Sequence, residues 1–95
     1  MSKHSTTFEE IKELALADPV AREAYERADE EWQLRELLLS ARENANLSQT
    51  ELAKRLEVAP SNIHRIENSP LNTNIKTILR YLHACNAKFE IRLSA

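Results

Sequence analysis

No glycine occurs anywhere in the 95 residues, where ordinary usage would supply about six or seven. Phosphate-cradling loops, dinucleotide fingerprints and nucleophile elbows all need glycine at fixed offsets, so each is excluded. The one cysteine, Cys85, permits no internal disulfide and fits a reducing cytoplasm. Three prolines and two phenylalanines leave little material for a β-sandwich. No apolar run approaches the ~18 residues that cross a bilayer, and residues 1–10 lack an apolar stretch of the signal-peptide kind. A helical, cytoplasmic protein without a membrane partner is the expectation.

Charge of one sign is scarce only locally. Residues 1–36 hold five Lys/Arg against ten Asp/Glu, whereas residues 37–95 hold eight against five. That division suggests two partners of opposite sign, one basic and one anionic. A solvated acidic helix beside an ordinary surface is the plainer reading, and composition does not separate the two.

Phe8, Ile11, Leu14 and Ala15 fall at helical spacing among acidic residues. Asp18-Pro19 stops that stretch and starts another, with Asp as N-cap and Pro at the first helical position. Val20, Ala24 and Ala28 then draw a thin apolar line, and Trp32, Leu34, Leu37, Leu38, Ala41 and Ala45 a stronger one. One helix from 19 to 44 and two helices broken near Asp29 both fit. The arm before residue 30 has too few large apolar side chains to form a core. It either docks on a partner as a groove-binding helix, through Phe8, Ile11, Leu14, Val20 and Tyr25, or folds back on the rest of the chain.

Asn44-Ala45-Asn46 ends the helix with asparagine as the next-best left-handed residue. Ser48 caps a helix from Gln49 to Leu56, with Glu51 completing a capping box. Pro60 opens another, running to Glu67 or Asn68. A polar loop of residues 69–73 precedes a last helix from Asn74 to about Cys85, and residues 88–93 alternate polar and apolar as a half-buried strand does.

The informative stretch is residues 49–68. Leu52 and Leu56 meet Ile63 and Ile66 across a tight turn, Val58 plugs the corner, and Ala53 is small where the helices cross. Ser61, Asn62, His64 and Arg65 are left outside. A short helix exposing small polar and bidentate side chains suits the major groove of DNA. These residues resemble the helix-turn-helix of the Cro/repressor (XRE-like) family over roughly residues 33–86, most specifically at Ser48-Gln49 and Arg65-Ile66-Glu67-Asn68. The resemblance implies an all-α, five-helix repressor-like domain with an N-terminal helical arm and a short C-terminal strand. It implies that Gln49 clamps phosphate and braces its helix, that Pro60, Ser61 and Arg65 face bases, and that Asn62 and His64 lie beside the backbone. Arg42 and Glu67 match an ion pair tying the first domain helix to the end of the recognition helix. Asn72, Thr73 and Asn74 sit where a helix start presents N–H groups to phosphate. Lys54, Lys76 and Arg80 could add charge. Two positions depart from the family: Glu57 stands where glycine is usual, and Pro60 where a polar base reader is common.

One such domain grips few base pairs, so specific binding calls for two copies. A lone strand has unpaired groups on both edges, and pairing residues 87–93 antiparallel with a second chain would satisfy one of them. The same segment could instead hug its own domain. Arm, domain and strand together resemble antitoxins of the HigA type. That resemblance implies a basic RelE/HigB-like toxin, a ribonuclease that cleaves messenger RNA, and binding of double-stranded operator DNA to repress the shared operon. The expected organisation is a toxin-binding arm over residues 1–31, a DNA-binding domain over 32–86 and a dimerisation strand over 87–95. A stand-alone repressor and an interaction module without DNA binding are the competing readings. His83 and Cys85 fall on different sides of a helix, so no zinc site is expected. No catalytic constellation has recognisable spacing, and neither enzyme activity nor a cofactor is expected.

Overall fold

Asp18 and Pro19 open the first helix as their chemistry requires: the Val20 N–H donates to Asp18 Oδ1 at 3.0 Å, and proline occupies the position where a missing N–H costs nothing. The computed structural model describes Glu9, Glu10, Glu13 and residues 17–94. Among these, four α-helices follow in order: α1 Pro19–Asn44, α2 Gln49–Leu56, α3 Pro60–Asn68 and α4 Ile75–Ala84. A single 3-10 turn, Pro70–Asn72, lies between α3 and α4. Helical hydrogen bonding is uninterrupted from 19 to 44, which resolves the choice left open at Asp29. Beyond Pro19 that helix contains no proline or glycine to break it, and it is rich in Ala, Leu, Glu and Arg.

By its contacts the chain divides into two units, Met1–Trp32 and Gln33–Ala95. In the first, Phe8, Ile11 and Leu14 lie outside the described residues. Val20 and Trp32 are exposed, and Tyr25, Ala28, Asp29 and Trp32 line a shallow apolar hollow. In the second, Leu38, Ala41, Leu52, Ala53, Ile63, Ile66, Ile78, Tyr81, Leu82 and Cys85 form one buried cluster, with Leu56 and Val58 packed against it. Burying each large aliphatic side chain is worth about 1.5–3 kcal/mol, so this cluster holds α2, α3 and α4 against the C-terminal part of α1. Leu37, part of the apolar stripe in sequence, stays largely uncovered.

Three helix ends solve the glycine shortage in one way. Asn46, Glu57 and Asn86 all take positive φ, at 58°, 58° and 59°. Each sits just past a helix in a paired-bond ending: Asn46 N–H to Glu43 O with Leu47 N–H to Arg42 O, Glu57 N–H to Lys54 O with Val58 N–H to Ala53 O, and Asn86 N–H to His83 O with Ala87 N–H to Leu82 O. These are Schellman pairs, which satisfy carbonyls that a helix end leaves open. Asparagine tolerates the left-handed region; glutamate at 57 does so at a cost of about 1 kcal/mol or more. Holding the turn between α2 and α3 to three residues is what that strain secures.

Two expectations are corrected. A five-helix count is not met: the described residues form four α-helices, and the polar loop expected over residues 69–73 holds only a three-residue 3-10 turn, which Pro70 opens without an N–H and Thr73 N–H closes back on Pro70 O. Nor does any strand form among the described residues; residues 87–94 have no regular secondary structure. Their alternation is real, but a strand needs a hydrogen-bonded neighbour, and no other extended segment of the described chain lies beside them.

Candidate nucleic-acid interface

The Ser48 hydroxyl accepts from the Glu51 N–H at 3.0 Å, and the Glu51 carboxylate accepts from the Ser48 N–H at 2.8 Å. This reciprocal cap fixes where α2 begins, and those bonds hold the Glu51 carboxyl below its ordinary range. From there α2 and α3 cross around Leu52, Ala53, Ile63 and Ile66, all buried. With that face of α3 turned inward, Pro60, Ser61, His64 and Arg65 are exposed and Asn62 is half-buried.

The outward side chains are braced along the helix. Asn62 Oδ1 accepts from Arg65 Nη2 at 3.2 Å, which aims the guanidinium. Asn68 Nδ2 lies 2.7 Å from His64 Nε2. Ala59 precedes α3 without a side-chain cap, and the Asn62 N–H closes instead on the Ala59 carbonyl at 2.9 Å. An open groove of about 440 Å³ brings Asn62 and Arg65 together with Asn72, Thr73 and Asn74 at the start of α4. Asn74 Oδ1 caps α4 by accepting from the Thr77 N–H at 2.9 Å. Pro60, Ser61, His64 and Gln49 do not line this groove. Thr77 and Arg80 do; the sequence offered Arg80 only as one surface cation among several, and Thr77 carried no signal.

Behind α3 lies a buried polar cluster. Glu67, 2% exposed, receives Arg42 at both carboxylate oxygens, Nε to Oε2 at 2.7 Å and Nη2 to Oε1 at 3.3 Å. Gln49 Nε2 donates to Oε1 at 2.8 Å, and the buried Tyr81 hydroxyl donates to Oε2. Leu38 O lies 3.0 Å from the same hydroxyl; its single proton goes to the carboxylate, the stronger acceptor. Arg42 also donates from Nη1 to Leu47 O at 3.0 Å.

Desolvation alone would push Glu67 up, but the bonds from Arg42, Tyr81 and Gln49 outweigh it, and its carboxyl titrates below the ordinary range. Its bonded partner Arg42 is pushed up, first by the Glu67 bond, and Tyr81 is pushed well up, first by burial. The cluster is therefore a cation, an anion and two neutral donors. One Gln49 amide hydrogen is committed to Glu67, which ties the start of α2 to the end of α3. Tyr81 escaped the sequence reading because it occupies an apolar position of α4; the signal would have been a hydroxyl on a core stripe, which must find a partner.

Among the described residues no group of His, Cys, Asp or Glu could hold a metal ion, and no helix is long and apolar enough to cross a membrane. Cys85 is buried, and burial pushes its thiol up.

The chain is similar to Antitoxin HigA1 of two Mycobacterium tuberculosis strains, CDC 1551/Oshkosh and ATCC 25618/H37Rv. Each is 32% identical over 83 residues, which cover 87% of this chain and 56% of the relative. The chain thus spans little more than half the length of these curated relatives. No solved structure matches it significantly. Residues 38–91 match the helix-turn-helix family, and they contain α2, α3 and the groove beside them. The chain belongs to the helix-turn-helix family.

Proposed function

We propose that the chain is a HigA-type antitoxin that works at two surfaces. Its domain, residues 32–86, binds double-stranded operator DNA and represses its own operon; its arm, residues 1–31, neutralises a basic RelE/HigB-like mRNA-cleaving toxin. The observation that carries the DNA half is the outward ridge of Ser61, His64 and Arg65 beside the groove that joins Arg65 to residues 72–74. Arg65 reads a guanine edge in the major groove, Ser61 and Pro60 contact neighbouring bases, and Asn62 and His64 lie against the backbone. Gln49, Asn72, Thr73 and Asn74 hold phosphate at the helix starts. Arg42 and Glu67 set the angle of α3.

Support for the toxin half is the likeness to the two antitoxins together with the acidic excess of residues 1–36, suited to a basic surface. Phe8, Ile11, Leu14, Val20 and Tyr25 are its apolar contacts. Two copies, joined through residues 87–93, are needed for a palindromic site. Nothing in this scheme involves catalysis or a cofactor.

Deleting residues 1–31 separates the two activities. The truncated chain should retain salt-sensitive, sequence-selective retention on its own promoter while losing capture of the ribonuclease. Loss of promoter binding by the intact chain, or capture of the toxin by the truncated one, would overturn the corresponding half.

A further inference from the structure

Residues 87–94 carry apolar side chains that the monomer uses only in part. Phe89 is half-buried against the core and lines a small groove with Leu34, Pro70, Leu71, Ile75 and Ile78. Ile91 and Leu93, two and four residues on, are 75% and 96% exposed. The groove itself is only part-covered, with Leu71 43% and Ile75 58% exposed. Between these apolar residues, Arg92 Nη2 reaches Glu90 Oε1 at 3.8 Å. Drawn out as a strand, the tail would place apolar residues 89, 91 and 93 on one side and charged residues 90 and 92 on the other.

The geometry points to a second copy of this chain as the occupant, its tail paired antiparallel with this one in a single register that places Ile91 on the two-fold axis. In an antiparallel pair, residues directly opposite share a face. With Ile91 facing its own copy, Phe89 faces Leu93 and Glu90 faces Arg92, so every apolar side chain meets an apolar one and each carboxylate meets a guanidinium. Moving the axis to residue 90 sets Glu90 against Glu90 and Lys88 against Arg92; moving it to 92 sets Arg92 against Arg92. Like charges directly opposite are destabilising. Moving it to 89 faces Lys88 with Glu90 but sets Arg92 opposite Asn86, whose φ of 59° ends the extended run, and Leu93 opposite the buried Cys85. Registers centred between residues put apolar against charged side chains.

The chosen register also brings Leu93 of the second copy beside Phe89, where it extends the cover over Leu71 and Ile75. A two-stranded ribbon alone is marginal in water; resting on this groove gives its apolar face something to pack against. The inference rests on the dimer reading of the tail and adds its register and its seat.

Charge reversal and crosslinking of the full chain test it without DNA or toxin. In sedimentation equilibrium, Glu90→Arg and Arg92→Glu should each weaken dimerisation by about tenfold, and the double reversal should restore it. With Cys85→Ala as background, mild oxidation should give covalent dimer from Ile91→Cys, since residues facing across an antiparallel pair lie about 4.5–5.5 Å apart at Cα; Glu90→Cys should stay monomeric on a non-reducing gel. Failure of the double reversal to rescue, or preferential crosslinking at 90, overturns the register and leaves the tail dimer standing. A chain that stays monomeric yet still binds its operator selectively overturns the tail dimer as well, while the DNA reading survives.

Discussion

The Tyr81 hydroxyl of α4 donates to the Glu67 carboxylate at the end of α3, inside a core where Tyr81 is fully buried. One hydrogen bond thus connects the last helix to the helix that carries the exposed polar ridge, and Arg42 and Gln49 bring α1 and α2 to the same carboxylate. Four helices converge on one side chain, with no buried side-chain polar atom left unpartnered among the described residues.

Removing single members of that cluster should show strong coupling. Tyr81→Phe is expected to lower unfolding free energy by about 1.5–3 kcal/mol, as for other hydrogen bonds to a charged group. Glu67→Ala leaves Arg42 without its counter-ion and is expected to cost about 3–5 kcal/mol. Urea denaturation of Tyr81→Phe, Arg42→Ala and the double variant should give a coupling energy of roughly 0.5–3 kcal/mol. Strict additivity would mean that the two contacts to Glu67 act independently.

Acid should weaken the fold through the same residue. The carboxyl of Glu67 titrates below its ordinary value near 4.5 when folded, so the unfolded chain takes up its proton first as pH falls. The stabilisation is complete above that ordinary value and declines as pH drops from there through the folded value. Thermal unfolding between pH 6 and pH 3 should show a fall (roughly within that range) that is shallower in Tyr81→Phe, which releases one bond holding the carboxyl down. An identical slope in both proteins would place the acid sensitivity elsewhere.

Glu57 holds a left-handed conformation, φ 58° and ψ 44°, at the turn between α2 and α3. Glu57→Gly removes the clash of Cβ with the neighbouring carbonyl and should raise stability by about 0.5–1 kcal/mol, a penalty of roughly 1–2 kcal/mol less the roughly 0.5–1 kcal/mol of glycine's extra unfolded-state entropy. Asn46→Gly should gain less, because asparagine already tolerates this region. Paired melting curves decide between them, and a destabilised Glu57→Gly would mean that the glutamate side chain makes a contribution beyond its backbone.

For the proposed DNA complex, Arg65→Ala should cost about 1–3 kcal/mol on the cognate operator and little on unrelated duplex. Arg65→Lys should keep most of the salt dependence but lose the discrimination, since an ammonium lacks the bidentate fork. Fluorescence anisotropy over a salt series on both duplexes measures each quantity. Equal losses on the two would assign Arg65 to a phosphate.

Local chemistry was enough to read the helix boundaries. Ser48 with Glu51, Asn74 and the two prolines at 19 and 60 carry their instructions within three or four residues, so α2, α3 and the start of α4 are legible in the letters alone. Periodicity likewise marked Leu52, Ile63 and Ile66 as the face turned inward, leaving the outward polar ridge by subtraction. Other features depended on residues far apart in the chain. Which stripe residues of α1 find cover is one of them: Leu38 is buried and its neighbour Leu37 is not. The gathering of Arg65 with Arg80 around one groove is another, and so is the seat of Tyr81 on Glu67, fourteen positions away. Alternation in residues 88–93 states a willingness to pair, but a strand comes into being only when a second backbone supplies its hydrogen bonds. Caps and turns are short-range and therefore written in sequence; burial, ion-pair closure and strand pairing are decided where distant segments meet.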